Sequence, residues 1–185
     1  MKLAFDEVKA TQTAALFLKL AGGQLNYVAL IKLLYKADRE AIRRLGLPIT
    51  TDKYASMKFG PVTSMIYDRI KASANQNSHP TFWSAHIHRC SDPHDVTLQL
   101  DPGVSELSPA EERIIAEIFA SDGGKDRFIL ACECHREFPE WNDPKGSSTP
   151  IDISEIITAL GLSEDEAAQI QYLIETQRAS LSLAG

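Results

Sequence analysis

The chain has 185 residues, of which 44% are hydrophobic and 24% are charged, and its formal net charge is −6. This length and composition predict one compact domain over residues 1–185. Three cysteines, an odd number, do not indicate a disulfide framework. The first residues lack the apolar stretch of a signal peptide, and no apolar run approaches the roughly 20 residues that span a bilayer. We therefore expect a cytoplasmic protein without a membrane partner.

Charge is divided unevenly along the chain. Residues 1–71 contain 12 Lys/Arg and 6 Asp/Glu, whereas residues 72–185 contain 7 and 19. Opposite charge on two halves indicates either two binding surfaces of opposite sign or an internal contact between the halves. The sequence leaves both alternatives open.

Two amphipathic helices are predicted in the first 46 residues. Apolar residues recur at helical spacing over residues 6–21, and again from the N-cap residue Asn26 to Gly46, a typical residue after a helix end. The second helix carries a row of basic residues on its other face: Lys32, Lys36, Arg39 and Arg43.

A short strand is predicted near residues 49–58, because Pro48 forbids a helix and the following residues suit extended backbone. Gly60-Pro61 is interpreted as the break that ends this strand. A third helix is predicted over residues 64–75.

The segment 82–100 predicts a β-hairpin of two short strands around a proline-containing turn. Ser108-Pro109-Ala110-Glu111 has the capping pattern of a helix start. Two helices are predicted over residues 108–121 and 125–136, and an irregular stretch follows at 138–150. Two further helices are predicted over 152–160 and, at the C-terminus, 164–183. The fold class is thus mainly α (α+β), a compact domain of about six to seven helices with a small antiparallel β element.

One group of residues in the sequence could bind a metal ion. On a strand, His86, His88 and Cys90 alternate and would point to the same face, which is a possible zinc triad. The competing interpretation is a half-exposed strand with ordinary polar residues. We expect no cofactor, and the triad stays as the basis of an alternative zinc-dependent enzyme.

The basic row of the second helix permits three interpretations. Lysine and arginine side chains at this spacing can meet phosphate, but Asp38 and Glu40 interrupt the row, and no helix-turn-helix pair is evident. A face that is solvated or paired within the chain is the simplest interpretation, and protein binding is the next. Nucleic acid is not an expected partner.

Trp141 follows a proline-fixed turn in Phe138-Pro139-Glu140-Trp141. A tryptophan beside a carboxylate can anchor an interface. It can equally close the helical core with its indole N–H bonded to a backbone carbonyl, which is the interpretation we favour.

Residues 25–71, LNYVALIKLLYKADREAIRRLGLPITTDKYASMKFGPVTSMIYDRIK, carry the most informative pattern. They resemble the signature of the Panacea antitoxin domain, also called the SocA-like antitoxin domain, and the resemblance extends over about residues 5–160. Two departures are Phe59, where a histidine is expected, and Thr51, where a glycine is common. The signature residues to which the resemblance gives a structural role are Lys32, Tyr35, Asp38, Tyr54, Gly60, Pro61, Tyr67, Glu140 and Trp141.

The resemblance implies a non-enzymatic protein of a toxin–antitoxin system, associated with phages or mobile elements. It implies an antitoxin that binds and neutralises a cognate protein toxin encoded by a neighbouring gene. It also allows an adaptor that delivers the toxin to a protease, and it gives no catalytic residues. A DNA-binding regulator and a zinc-dependent enzyme remain as alternatives of other classes, and a homo-oligomer stays open.

Charge clusters beside the Gly60-Pro61 elbow, which suggests where a toxin would bind. The hypothesis is that the basic face of the second helix and the segment 49–62 flank the toxin site. The candidate contact residues are Lys36, Arg39, Arg43, Lys53, Lys58 and Phe59.

Overall fold

The structure, a computed structural model, describes residues 3–72, 79–90 and 92–183. Eight helices form most of this part of the chain, so the fold is mainly α with a small β element, as predicted. Their bounds are α1 (Glu7–Leu20), α2 (Tyr27–Leu45), α3 (Ser64–Ala72), α4 (Phe82–His86), α5 (Pro109–Asp122), α6 (Arg127–Glu137), α7 (Ile153–Ala159) and α8 (Glu164–Leu183).

The strands of the described chain pair in two small antiparallel sheets. Their bounds are β1 (Gln24–Asn26), β2 (Tyr54–Met57), β3 (Gly60–Thr63), β4 (Ile87–Arg89), β5 (Asp95–Leu98) and β6 (Thr149–Ile151). One sheet has the order β1–β5–β4 and the other has the order β3–β2–β6. The β4–β5 pair confirms the predicted hairpin.

Three predictions about local structure were wrong or incomplete. Residues 82–86 form the helix α4 instead of a strand. The described chain therefore has eight helices, where about six to seven were predicted. Within the range 49–58, where a strand was expected, only Tyr54–Met57 form one, β2. Gly60-Pro61 does not end the sheet but begins β3, an edge strand, where proline is tolerated because its missing N–H is not needed on the outer side.

Helix starts follow the capping chemistry of the sequence. Asn26 accepts the N–H of Val28, and Ser108 forms a capping box with Glu111 in front of α5. Gly46 ends α2 in the left-handed conformation, where glycine has no Cβ penalty. The predicted end of the third helix, residues 73–75, lies outside the described residues.

Helix α2 is the centre of the fold, and nearly all of its residues from Ala29 to Ile42 are buried. It packs against α1, α5 and α6, and β3 lies along it. The basic row therefore begins inside the protein, because Lys32 and Lys36 are among the buried residues. None of the helices in the described part of the chain is long and apolar enough to cross a membrane.

Candidate protein-binding surface

A buried network around Asp38 fastens α2 to the segment that precedes β2. The Asp38 carboxylate accepts the Thr50 N–H at 2.9 Å and the Tyr54 O–H at 3.0 Å, and it also accepts the Thr50 hydroxyl. Burial raises the pKa of Asp38 to about 6, although these hydrogen bonds favour the charged form. The signature residues Asp38 and Tyr54 thus belong to one buried hydrogen-bond network between α2 and β2.

Asp52 joins this segment to the next helix. Its carboxylate accepts the backbone N–H groups of Met65 at 2.8 Å and Ile66 at 3.0 Å, in the first turn of α3. Burial raises the pKa of Asp52 to about 7. Next to it, Thr51 has a φ of +49°, which explains why glycine suits this position.

The Phe138–Trp141 segment closes over α2 from the acidic half of the chain. The buried Glu140 carboxylate accepts the Tyr35 O–H and the Arg39 Nε–H, each at 2.9 Å. The Arg39 guanidinium also lies 4.8 Å from the centre of the Phe138 ring. The indole N–H of Trp141 donates to the Met57 carbonyl at 3.0 Å, which is the bond expected of a residue that closes the core.

Charges of the two halves meet inside the molecule. The buried Lys36 ammonium pairs with Asp122 at 2.9 Å and with Glu133 at 3.3 Å, and Lys9 pairs with Glu111 at 2.7 Å. The uneven charge along the chain is therefore used, at least in part, in contacts between the halves. Lys36 and Arg39, two candidate toxin contacts, both have partners within the chain.

The remaining candidate residues lie in three places. Arg43 pairs on the surface with Glu40, one turn earlier on α2. Lys53 lines a cavity of about 390 Å³ beside β2 and β6. Only Lys58 and Phe59, in the turn between β2 and β3, line one pocket together. The six candidates therefore do not form a continuous surface.

The histidines of the possible zinc triad are not placed on one strand face. His86 ends α4 and its Nδ1 lies 2.8 Å from the Phe82 carbonyl oxygen, while the His88 Nε2 lies 2.6 Å from the Ser84 carbonyl oxygen. The expectation that His86, His88 and Cys90 share one strand face was wrong, because the chain is helical up to His86. Within the described ranges no group of three or more His, Cys, Asp or Glu could hold a metal ion.

Four aromatic residues from distant parts of the chain meet at two pockets beside the β2–β3 turn. One pocket, of about 250 Å³, is lined by Tyr27, Phe59 and Tyr67, and the other, of about 190 Å³, by Tyr27, Phe59 and Phe128. Phe59 is 55% exposed although it is large and apolar. We call Tyr27, Phe59, Tyr67 and Phe128 the aromatic surface.

Each ring of the aromatic surface has a cationic side chain over it. Lys58 lies over Phe59, Arg127 over Phe128, Lys71 over Tyr67 and Arg89 over Tyr27, at 4.3 to 5.7 Å from the ring centres. No Asp or Glu is among the residues that line the two pockets. The pocket walls are therefore apolar with Lys32, Lys58 and Arg127 as their charged residues, whereas Lys71, which lines neither pocket, pairs with Asp68 at 2.8 Å.

Lys32 is among the residues that line the larger pocket, and Trp141 contacts helix α6 through His135. The Lys32 ammonium donates to the Pro61 carbonyl at 2.7 Å, and burial lowers its pKa to about 8. His135 on α6 stacks on Trp141 with ring centres 4.0 Å apart. Burial and the nearby Lys32 charge lower the pKa of His135.

The sequence hypothesis included Lys58 and Phe59 but missed Tyr27 and Phe128 as parts of the same surface. Tyr27 precedes Phe128 by about one hundred positions, and no local periodicity connects them. The available signal was compositional: Arg127-Phe128 repeats the cation–aromatic pairing of Lys58-Phe59 in a second exposed place.

The fold and these contacts define a mainly α domain in which signature residues fasten one central helix and leave an aromatic surface exposed. The family model described as the SocA-like antitoxin, Panacea domain, matches residues 30–142, more than half of the chain. The chain belongs to this family. No curated protein and no solved structure matches the chain significantly.

Proposed function

We propose that this protein is an antitoxin that neutralises a cognate protein toxin by binding it directly through the aromatic surface. Membership of the SocA-like antitoxin family supports a role in a toxin–antitoxin system. The observation that carries the choice of surface is the exposure of Phe59 between two pockets. In this proposal residues 1–185 act as one domain in the cytoplasm, with no cofactor and no catalytic residue.

Exposed aromatic side chains around concave pockets are typical of protein interfaces. Phe59 and Phe128 are both more than half exposed, and each contributes to a pocket wall that a partner could fill. Aromatic residues at the centre of an interface supply much of its binding energy, because they bury a large apolar area with little loss of side-chain entropy. Large exposed apolar groups that adjoin one another indicate an interaction site.

The cationic side chains around the aromatic surface favour an acidic face on the toxin. Lys58 and Arg127 are pocket-wall residues, and no acidic residue lines either pocket. Lys71, over the Tyr67 ring, already pairs with Asp68. Charges at the edge of an interface mainly speed association and select the partner, while the buried centre determines how long the complex lasts. Phe59, which departs from the histidine expected in the family, gives this chain its own partner preference.

From the sequence hypothesis this proposal keeps Lys58 and Phe59 as toxin contacts. Lys36 and Arg39 act inside the domain through Asp122 and Glu140, so they support the surface without touching the toxin. Arg43 and Lys53 lie away from the aromatic surface and are not assigned to it.

A growth-rescue experiment tests the proposal. The protein encoded by the neighbouring gene is expressed from one promoter and this chain from another. The neighbour alone should stop growth, the wild-type chain should restore it, and Phe59→Ala should fail to restore it. Tyr172→Ala is the matched control, since Tyr172 is a 68% exposed aromatic residue on α8 that lines neither pocket, and it should rescue fully. A harmless neighbour, or full rescue by Phe59→Ala, would contradict the proposal.

The same assay separates direct neutralisation from delivery to a protease. If binding alone neutralises the toxin, the amount of toxin in rescued cells should stay constant after its synthesis is stopped. A toxin that disappears only when the wild-type chain is present would instead indicate the adaptor function.

A further inference from the structure

Lys32 is a buried lysine without a negative partner. It is 1% exposed, and its ammonium donates to the neutral Pro61 carbonyl. Among the described residues it forms no ion pair, whereas Lys36, one turn further along α2, has two. An ammonium has three N–H donors, and burying it without a counter-charge costs free energy. The Lys32 ammonium thus lacks a counter-charge within the described chain, although its burial would favour one.

Lys32 is one of the residues that line an open pocket. Lys32 and Gly60 are among the residues that line the pocket of about 250 Å³, together with Phe59 at its rim. A Cβ on Gly60 would lie 3.0 Å from the Lys32 Nζ, so glycine leaves room next to the ammonium. The pocket is smaller than a typical small-molecule site of roughly 300–1,000 Å³ and suits one or two side chains of a protein partner.

The pocket walls strengthen a positive charge. They are mainly apolar, with Tyr27, Met57 and Val62 among them, and they contain no carboxylate. Apolar walls around a charge of one sign concentrate its field. A carboxylate side chain matches these walls, because its single negative charge can pair with the one ammonium while its methylene groups contact the apolar side chains.

We propose that the Lys32 pocket receives an Asp or Glu side chain of the bound toxin, whose carboxylate pairs with the Lys32 ammonium. This inference rests on the proposed function and deepens it by naming the chemistry of the toxin residue at the centre of the interface. Phe59 then covers the pair and excludes water from it, which strengthens the pairing.

Pairing with a carboxylate changes the protonation of Lys32. Burial lowers the pKa of Lys32 to about 8 in the free protein, and a carboxylate beside it raises that pKa in the complex. Binding therefore takes up a proton above about pH 8, and affinity falls as pH rises, by up to about tenfold per pH unit.

Other groups face Lys32 and must be considered in the same pH range. Cys134 and His135 on α6 contact the site, with Lys58 on the β2–β3 turn, Tyr27 on α2 and Tyr67 on α3. Burial raises the pKa of Cys134 to about 11 and lowers that of His135, so neither changes charge between pH 7 and pH 9. A variant without the Lys32 amine isolates the contribution of Lys32 from those of Lys58 and the tyrosines.

Calorimetry with the purified toxin encoded by the neighbouring gene tests the proposal. Lys32→Met should weaken binding by about 30-fold or more at pH 7, because removing one partner of a buried pair has effects of this size. Wild-type affinity should fall about tenfold from pH 7 to pH 9, while that of Lys32→Met stays nearly constant. Lys19→Met, which removes a surface lysine paired with Asp101, should match the wild type.

Two further arms identify the acidic group and guard against a folding defect. The toxin Asp and Glu residues are replaced one at a time by Asn and Gln. For one of these toxin variants, wild type and Lys32→Met should bind with equal affinity. Extending the toxin C-terminus should leave binding intact. In the unmodified chain, NMR of the Lys32 ammonium should show a pKa that rises on binding.

The outcomes separate this inference from the proposed function. Equal binding by Lys32→Met and wild type, an unchanged Lys32 pKa in the complex, or loss of binding on C-terminal extension would overturn the inference while leaving direct neutralisation in place. A wild-type chain that does not bind the toxin at all would overturn both.

Discussion

Replacing Arg39 should destabilise the protein, whereas replacing Arg43, one turn further along α2, should not. Both belong to the basic row of the sequence, but Arg39 is 18% exposed and pairs with the buried Glu140, while Arg43 is 47% exposed and pairs with Glu40. Removing Arg39 leaves the Glu140 carboxylate buried with the Tyr35 hydroxyl. It also removes the contact with the Phe138 ring.

Breaking one side of a buried pair costs about 3–5 kcal/mol, and the partial exposure of Arg39 places Arg39→Gln at about 3 kcal/mol. For a chain of this length each kcal/mol lowers the melting temperature by about 2–4 °C, so we expect a decrease of about 6–12 °C. Arg43→Gln should change stability by about 0.5 kcal/mol or less, as exposed pairs do.

Thermal and urea unfolding followed by circular dichroism measure both variants. Adding Glu140→Gln to Arg39→Gln should restore part of the loss, because the buried charge is then removed. Equal melting temperatures for the two single variants, or no recovery in the double variant, would refute the assignment of Arg39 to the interior.

Two further predictions concern Asp52, which binds the first turn of α3, and Gly60, which begins β3. Asp52 has a pKa raised to about 7, so the stability it contributes is present below its unfolded value near 3.8 and is lost as pH rises through 7. The difference in unfolding free energy, wild type minus Asp52→Asn, should therefore decrease by about 2 kcal/mol from pH 5 to pH 7 in urea titrations, and a difference that increases with pH would contradict the assignment. Gly60→Ala should cost about 1–3 kcal/mol, because φ is +93° and the new Cβ would approach Lys32 and Cys134. Gly124→Ala, whose Cβ would meet nothing within 4 Å, is its control, and equal unfolding midpoints would show that Gly60 tolerates a side chain.

Local chemistry made most helix starts predictable. Asn26 and Ser108 cap helices in the structure because their side-chain oxygens accept backbone N–H groups that the first turn leaves free. The same chemistry operates at Thr81, where a capping box with Ser84 starts α4. The hairpin prediction over 82–100 is therefore wrong for residues 82–86, where this capping box favours a helix.

Burial of charge could not be predicted from the helix pattern alone. Lys32 and Lys36 lie on what the periodicity defines as the polar face of α2, yet neighbours from several elements cover that face. Their partners, Pro61 and Asp122, are 29 and 86 positions away in the sequence. Pairing between such distant residues depends on the tertiary fold, which spacing does not specify.

The aromatic surface was predictable only in part for the same reason. Lys58 and Phe59 are adjacent in a turn, so the sequence could propose them as a pair. Tyr27 and Phe128 join them through the packing of α2 against α6, a contact between elements that are distant in the chain.

The most direct test of the account is the binding of purified toxin from the neighbouring gene to purified wild-type and Phe59→Ala protein. We predict a stable complex with the wild type and a dissociation constant at least about 30-fold higher for Phe59→Ala, as for an aromatic residue at the centre of an interface. Tyr172→Ala should bind like the wild type. Rescue of growth without any complex, or equal affinity of wild type and Phe59→Ala, would contradict neutralisation through this surface.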